Sequence, residues 1–103
     1  MIIYNVTVNV ENSIVEDWIE WMQDVHIPQM ISTGCFTEAK LQKLVLDKQD
    51  EKTFAIAYKC FSIKELKKYQ TKYASTLQAE HIKRYKDKVL AFPTVLDVIA
   101  EFR

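Results

Sequence analysis

Gly34 is the only glycine in this chain of 103 residues, and Pro28 and Pro93 are its only prolines. A positive backbone φ is cheap only at glycine, so such a chain is held to long regular elements with few tight turns. Gly34 lies near the end of the densest stretch of the sequence, Trp18 to Phe36. That stretch also carries both tryptophans, His26, Pro28 and Cys35. These residue types constrain a backbone or carry chemistry, so the stretch is where a site is sought first.

The elements follow from periodicity. Ile2, Tyr4, Val6, Val8 and Val10 alternate with Ile3, Asn5, Thr7 and Asn9, which predicts a first strand with one core face and one more polar face. The polar face meets solvent, or lines a cavity if the sheet closes into a barrel. Ser13 with Glu16 has the spacing of a capping box and opens a helix whose apolar stripe is Ile14, Trp18, Trp21, Met22 and Val25. Pro28 removes an amide and disfavours helical geometry at Ile27, so this helix is expected to end or kink at His26 and Ile27. Gln29 to Ile31 add at most a short turn before Gly34 reverses the chain.

Cys35 to Leu46 reads as a second strand with imperfect alternation, as a bulge or two-sided burial would produce. After the polar turn Asp47–Lys52, Thr53 to Phe61 is a third strand, and the two form a hairpin. Ser62 with Glu65 is a second capping box and Ser75 with Gln78 a possible third. Between and beyond them run the stripes Leu66, Tyr69, Tyr73, Leu77 and then Leu77, His81, Ile82, Tyr85, Val89. A long second helix, bent or broken near Ala74 and Ser75, is expected. Val89 to Ile99 closes the chain as a strand, and Pro93, which cannot donate to a ladder, assigns it to an edge or marks a bulge.

One domain over residues 1–103 accommodates all of this. The order βαββαβ is the ferredoxin-like plan of the α+β class: an antiparallel sheet with both helices on one face. Aliphatic and aromatic residues occupy both phases of several strands, so the other face also needs a cover. A two-fold homodimer packed sheet against sheet, a dimeric α/β barrel, supplies it.

Composition narrows the function classes. Fourteen basic and fourteen acidic residues leave no net charge, which argues against a nucleic-acid binder. No Lys or Arg precedes Lys40, whereas Lys64 to Lys88 is strongly basic. Two helices with complementary solvated surfaces account for this, and a basic face for an anionic partner is the sharper alternative. The N-terminus lacks the basic and apolar regions of a signal peptide, and no run is apolar enough to span a membrane. A cytoplasmic protein is therefore expected, with Cys35 and Cys60 as reduced thiols or, less simply, a redox pair near the hairpin's open end.

Four segments together resemble a known family: M-I-I-Y-N-V-T-V-N-V at the start, W-x-x-W-M-x-x-V-H-I-P over Trp18–Pro28, T-G-C-F over Thr33–Phe36, and K-D-K-V-L-A-F-x-T over Lys86–Thr94. The family is the uncharacterised domain-of-unknown-function family numbered four-two-eight-six. It is similar to the dimeric α/β-barrel group that also holds antibiotic-biosynthesis-type monooxygenases and stress-responsive barrel proteins. The resemblance implies the fold and a homodimer, and little about activity, because the group spans oxygenases, isomerases and haem-degrading proteins. Pro93 stands where an F-R-T version of the last segment has arginine, so an anion-binding role for that arginine is absent here.

Three functions are compatible with the sequence. The first is a small-molecule-binding or accessory protein holding a small apolar or aromatic ligand between sheet and helices. Trp18, Trp21, Phe36 and Tyr58 would form its wall, with Asn5, His26 and His81 as orienting groups. The second is a cofactor-independent oxygenase or isomerase using His26 or His81 as base and Asn5 or Tyr58 as donor to an enolate. The third is an interaction module recruiting a partner through its acidic first helix or through Lys67, Lys68 and Lys72 on the second. No metal-binding motif is present, and no cofactor is implied. A capping role for His26 and a satisfied core position for His81 are the plain alternatives to any site role.

Overall fold

The computed structural model describes residues 1–46 and 49–103. Strand β1 (Ile2–Glu11) leads through a 3₁₀ turn (Asn12–Ile14) into α1 (Val15–Trp21), a π-helical turn (Met22–His26) and α2 (Ile27–Ser32). Then come β2 (Glu38–Lys43), β3 (Glu51–Cys60), α3 (Ile63–Lys72), α4 (Ala74–Tyr85), a 3₁₀ turn (Lys86–Lys88) and β4 (Val89–Asp97). The sheet order is β2-β3-β1-β4 with every neighbouring pair antiparallel. This is the expected α+β, ferredoxin-like plan. The β2–β3 hairpin forms, and β4, which contains Pro93, is an edge strand opposite Val6.

Alternation sets the two faces of the sheet. Tyr4, Val8 and Val10 on β1 and Phe54, Ile56 and Tyr58 on β3 are buried under the helices with Trp18, Met22, Met30, Leu66 and Tyr69. The other phase of β1 (Ile3, Asn5, Thr7, Asn9) is only half-buried. Opposite it on β4, Leu90, Phe92 and Leu96 are exposed apolar side chains.

Several local expectations are corrected. Of the end or kink expected at His26 and Ile27, the structure shows an interruption and not an end: a π-helical turn closes at His26, Ile27 keeps right-handed helical angles and its N–H bonds to Met22 C=O, five residues back. Proline lacks an N–H and its ring crowds the carbonyl four residues earlier, and a locally widened turn accommodates both while the helix continues to Ser32. The wider turn changes which side chains face inward. Val25 is 37% exposed, and His26 takes the core-facing position instead. Trp18, Met22, His26 and Met30, each four residues apart, form the buried row.

Ser13 does not cap α1; its hydroxyl donates to Glu11 Oε1 at 2.8 Å, and the 3₁₀ turn opens the helix. Ser62 does cap α3, accepting from Lys64 N at 3.3 Å and bonding to Glu65 Oε2. The second helix breaks at Tyr73, where φ is −122°, and α4 starts at Ala74 without a side-chain cap, so the Ser75–Gln78 box is unused. Ile82 is 61% exposed and leaves the expected stripe. Strand β2 is shorter than expected: Phe36 lies in the loop before it, and Leu44, Val45 and Leu46 lie exposed beyond it, so the irregular alternation marked strand ends and not a bulge. Of the polar turn Asp47–Lys52, Asp47 and Lys48 lie outside the described residues, while Glu51 and Lys52 already belong to β3.

Candidate functional site

A cavity of about 160 Å³ lies between the inner face of the sheet and the helices. Its floor is Tyr4, Val6 and Val8 of β1 with Ile56 and Tyr58 of β3. Met22, His26 and Met30 from the π-helical turn and α2, and Tyr69 from α3, form the roof. Gln78, His81 and Ile82 of α4 face Ala91 and Pro93 of β4. Gln78, Ile82, Ala91 and Pro93 are exposed, so the mouth opens between α4 and the edge strand.

The π-helical turn builds one wall. By rotating His26 inward it sets that ring 5.4 Å from the His81 ring, centroid to centroid. Trp21 stacks on both, at 5.1 Å from His26 and 5.7 Å from His81. Behind them Trp18, fully buried, donates from Nε1 to His81 Nε2 at 2.9 Å. His81 Nε2 is therefore an acceptor, so the ring is the neutral tautomer with its proton on Nδ1. Burial holds the His81 pKa down to about 4. Burial, and then the neighbouring His81, do the same for His26, also to about 4. Both rings are thus uncharged at neutral pH.

The two histidines differ in their bonding. His81 has its Trp18 partner, whereas His26 makes no hydrogen bond among the described residues, and its Nδ1 is buried without a partner. Such an atom costs about 1–3 kcal/mol unless something fills its valence. An outer layer locks the cluster from the solvent side. Tyr85 packs edge-on against Trp21 and His81 and donates its hydroxyl to Asp17 Oδ2 at 2.8 Å. Arg84 lies over the Trp21 ring at 5.5 Å and pairs with Asp17 at 3.5 Å. The acidic first helix and the basic second one therefore do meet, through Asp17 and Arg84.

At the other end, Tyr4, Phe36, Tyr58 and Tyr69 form an aromatic cluster with centroids 5.1–6.2 Å apart. Burial raises the pKa of the Tyr58 and Tyr69 phenols, so they stay protonated. For Tyr4 and Tyr69 a hydrogen bond with Gln78 offsets part of the shift.

Of the residues singled out from the sequence, the cavity brings together His26, His81 and Tyr58. Trp18, Trp21 and Phe36 stand behind its walls instead of lining it. Asn5 is on the opposite face of the sheet, with Nδ2 donating to Thr7 Oγ1 at 3.4 Å, because it shares the phase of Ile3 and Thr7 and not that of Tyr4. It is no part of this site. Tyr4, Tyr69, Gln78, Met22 and Met30 were missed. Tyr4 was legible from its phase with Val6 and Val8, and Gln78 from its place three residues before His81. Cys35 and Cys60 are both buried and free, and Cys60 Sγ contacts Ile2 O at 3.7 Å. Among the described residues no three His, Cys, Asp or Glu side chains converge, so the two histidines have no third metal ligand beside them.

Two solved structures share this architecture. Both are described as dimeric ferredoxin-like proteins from an uncultured marine organism. One superposes with a TM-score of 0.74 at 10% identity, covering 100% of this chain and 99% of its own. The other gives 0.70 at 12% identity, covering 98% of this chain and 97% of its own. Identities this low carry the fold alone, and neither neighbour is described by an activity, so the grouping with monooxygenases gains no support from them. No curated protein matches the chain. The family model for a domain of unknown function (DUF4286) matches residues 1–99, and the chain belongs to that family.

Proposed function

We propose that this chain is a homodimeric small-molecule-binding or accessory protein whose cavity between sheet and helices holds a small, largely apolar guest. The observation that carries the reading is the cavity, apolar in most of its lining, with His26, whose Nδ1 is buried without a partner, among the residues that line it. Binding sites of this kind pair an apolar enclosure with a few oriented polar groups. The homodimer is supported by the half-covered outer face, by Leu90, Phe92 and Leu96 along it, and by the dimeric state of the two similar structures. A cytoplasmic setting suits the two free thiols. No described helix is long and apolar enough to cross a membrane.

Catalysis by a histidine base gains less support. A ring with a pKa of about 4 is a weak base at neutral pH, far from the value that favours general-base catalysis. His81 Nε2, moreover, is already engaged by Trp18.

Native mass spectrometry of gently purified protein tests the reading. A dimer carrying added mass is the expected result. A monomer would overturn the homodimer. A dimer without added mass, with tryptophan emission unmoved by a broad ligand library, would overturn the binding function.

A further inference from the structure

Among the described residues, the lining of the cavity contains no Asp, Glu, Lys or Arg. Three other surface concavities differ in this respect. The one at the end of α4 includes Asp17, Arg84 and Lys86, the one on the outer sheet face includes Glu38 and Lys59, and the one beside α2 includes Lys72. An ion entering the cavity between sheet and helices would find no counter-charge, and burying an unpaired charge is prohibitive. Neither histidine supplies one: the Trp18 N–H makes His81 a neutral acceptor at Nε2, and burial beside His81 keeps His26 neutral.

Size is the second limit. The volume of about 160 Å³ is close to the roughly 150 Å³ at which an apolar cavity in another protein accepts benzene. One six-membered ring fits within it, and a larger guest would extend through the mouth between α4 and β4. The third limit is hydrogen bonding. His26 is held by stacking on Trp21 and by no hydrogen bond among the described residues, so its ring can turn to present a nitrogen. A neutral imidazole offers one donor and one acceptor, and the hydroxyls of Tyr4, Tyr58 and Tyr69 are amphiprotic as well. A guest hydroxyl, which donates and accepts, satisfies His26 in either tautomer.

We infer that the guest is an uncharged single-ring molecule bearing a hydroxyl group, seated with its ring between Met22, Met30 and the sheet and its hydroxyl on His26. This rests on the binding reading above and narrows it to a chemical class that excludes carboxylates, phosphates and nucleotides.

The test titrates the full-length protein at neutral pH with phenol, toluene and benzoate, which share a ring and differ in the polar group. Imidazole and indole signals in NMR spectra are the readout. Phenol is expected to shift the His26 and Trp21 signals saturably, with a Kd about tenfold below that of toluene, the increment of one hydrogen bond to a buried group. Benzoate, ionised at neutral pH, is expected not to bind over the same range. His26→Phe should bring phenol and toluene to within about twofold of each other. Ala91→Trp, at the exposed mouth, should abolish binding of both while the protein stays folded. Equal Kd values for phenol and toluene in the unaltered protein, or binding of benzoate, would overturn the inference and leave the binding reading standing, because a ring would still have entered the cavity. Failure of all three probes would overturn it too, and native mass spectrometry would then say whether another retained molecule keeps the wider reading alive.

Discussion

The chain crosses the inner face of its sheet twice, and both crossings are interrupted halfway, by opposite means. The first, from Asn12 to Ser32, contains Pro28, yet it stays helical by widening one turn. The second, from Ile63 to Tyr85, contains neither proline nor glycine, yet it breaks at Tyr73. A proline removes one hydrogen bond, and a helix packed on a sheet by Trp18, Met22 and Met30 absorbs that loss locally. At Tyr73 no local residue demands a break. The second crossing must cover both the tyrosine cluster through Tyr69 and the histidine cluster through His81, and a single straight rod does not follow the twisted sheet beneath. The lesson is that local chemistry sets where a helix is weak, while the surface beneath it sets whether it breaks there.

The largest expected effect comes from pH, because both crossings deliver a neutral histidine to the same place. Each ring has a folded pKa of about 4 against 6.5 when exposed, so the unfolded chain binds more protons between those values. Stability is therefore full above pH 6.5 and falls as the pH drops toward 4, by up to roughly 3 kcal/mol for each ring. Urea denaturation across that range should show the slope, and His26→Phe should flatten about half of it. A slope unchanged in that variant would assign the acid sensitivity to carboxylates instead.

Next is the bond that ties the two crossings together. Trp18→Phe keeps an aromatic ring but leaves His81 Nε2 buried without its donor, at a cost of about 1–3 kcal/mol. Equilibrium unfolding measures it, and a loss well below that range would mean that His81 finds another donor.

Pro28→Ala addresses the first crossing alone. Restoring the N–H lets the turn close to ordinary α geometry, which rotates Val25 toward the core and His26 toward solvent. The net stability change is expected within about 1 kcal/mol, since a regained hydrogen bond offsets lost packing. By NMR titration the His26 pKa should climb from about 4 toward 6.5. A pKa that stays near 4 would show that packing, and not the proline, holds the π-helical turn.

The smallest effects separate used from unused caps. Ser62→Ala should cost about 1 kcal/mol at the start of α3, whereas Ser75→Ala, at an exposed position with no capping bond, should change stability by less than about 0.5 kcal/mol. Equal losses would mean that α4 relies on Ser75 after all.

Much of this architecture was legible in residue order. The strand phase of Ile2 to Val10, the hairpin, the edge or bulge that Pro93 demands and the Ser62 cap all depend on neighbours within a few residues, where sterics and hydrogen bonding act directly. The candidate site was legible only in part. His26, His81 and Tyr58 line the cavity, but His26 reaches it through a π-helical turn that no 3.6-residue period anticipates, and that period wrongly places Val25 inside. The wall assigned to Trp18, Trp21 and Phe36 is a second layer, because aromatic size predicts burial without predicting which neighbour stands in front. Asn5 was misassigned for a simpler reason: it is out of phase with the strand's own core residues.

Residue order alone therefore carries the succession of strands and helices and the inner faces of the strands, since alternation is local, and carries the inner faces of the helices only in part. Only the tertiary structure decided how the two interrupted crossings meet: that Trp18 would donate to a histidine 63 residues away, that the two imidazoles would lie neutral and side by side, and that one of them would be left without a partner. Those facts depend on desolvation and on contacts between distant segments, and neither exists until the helices are laid on the sheet.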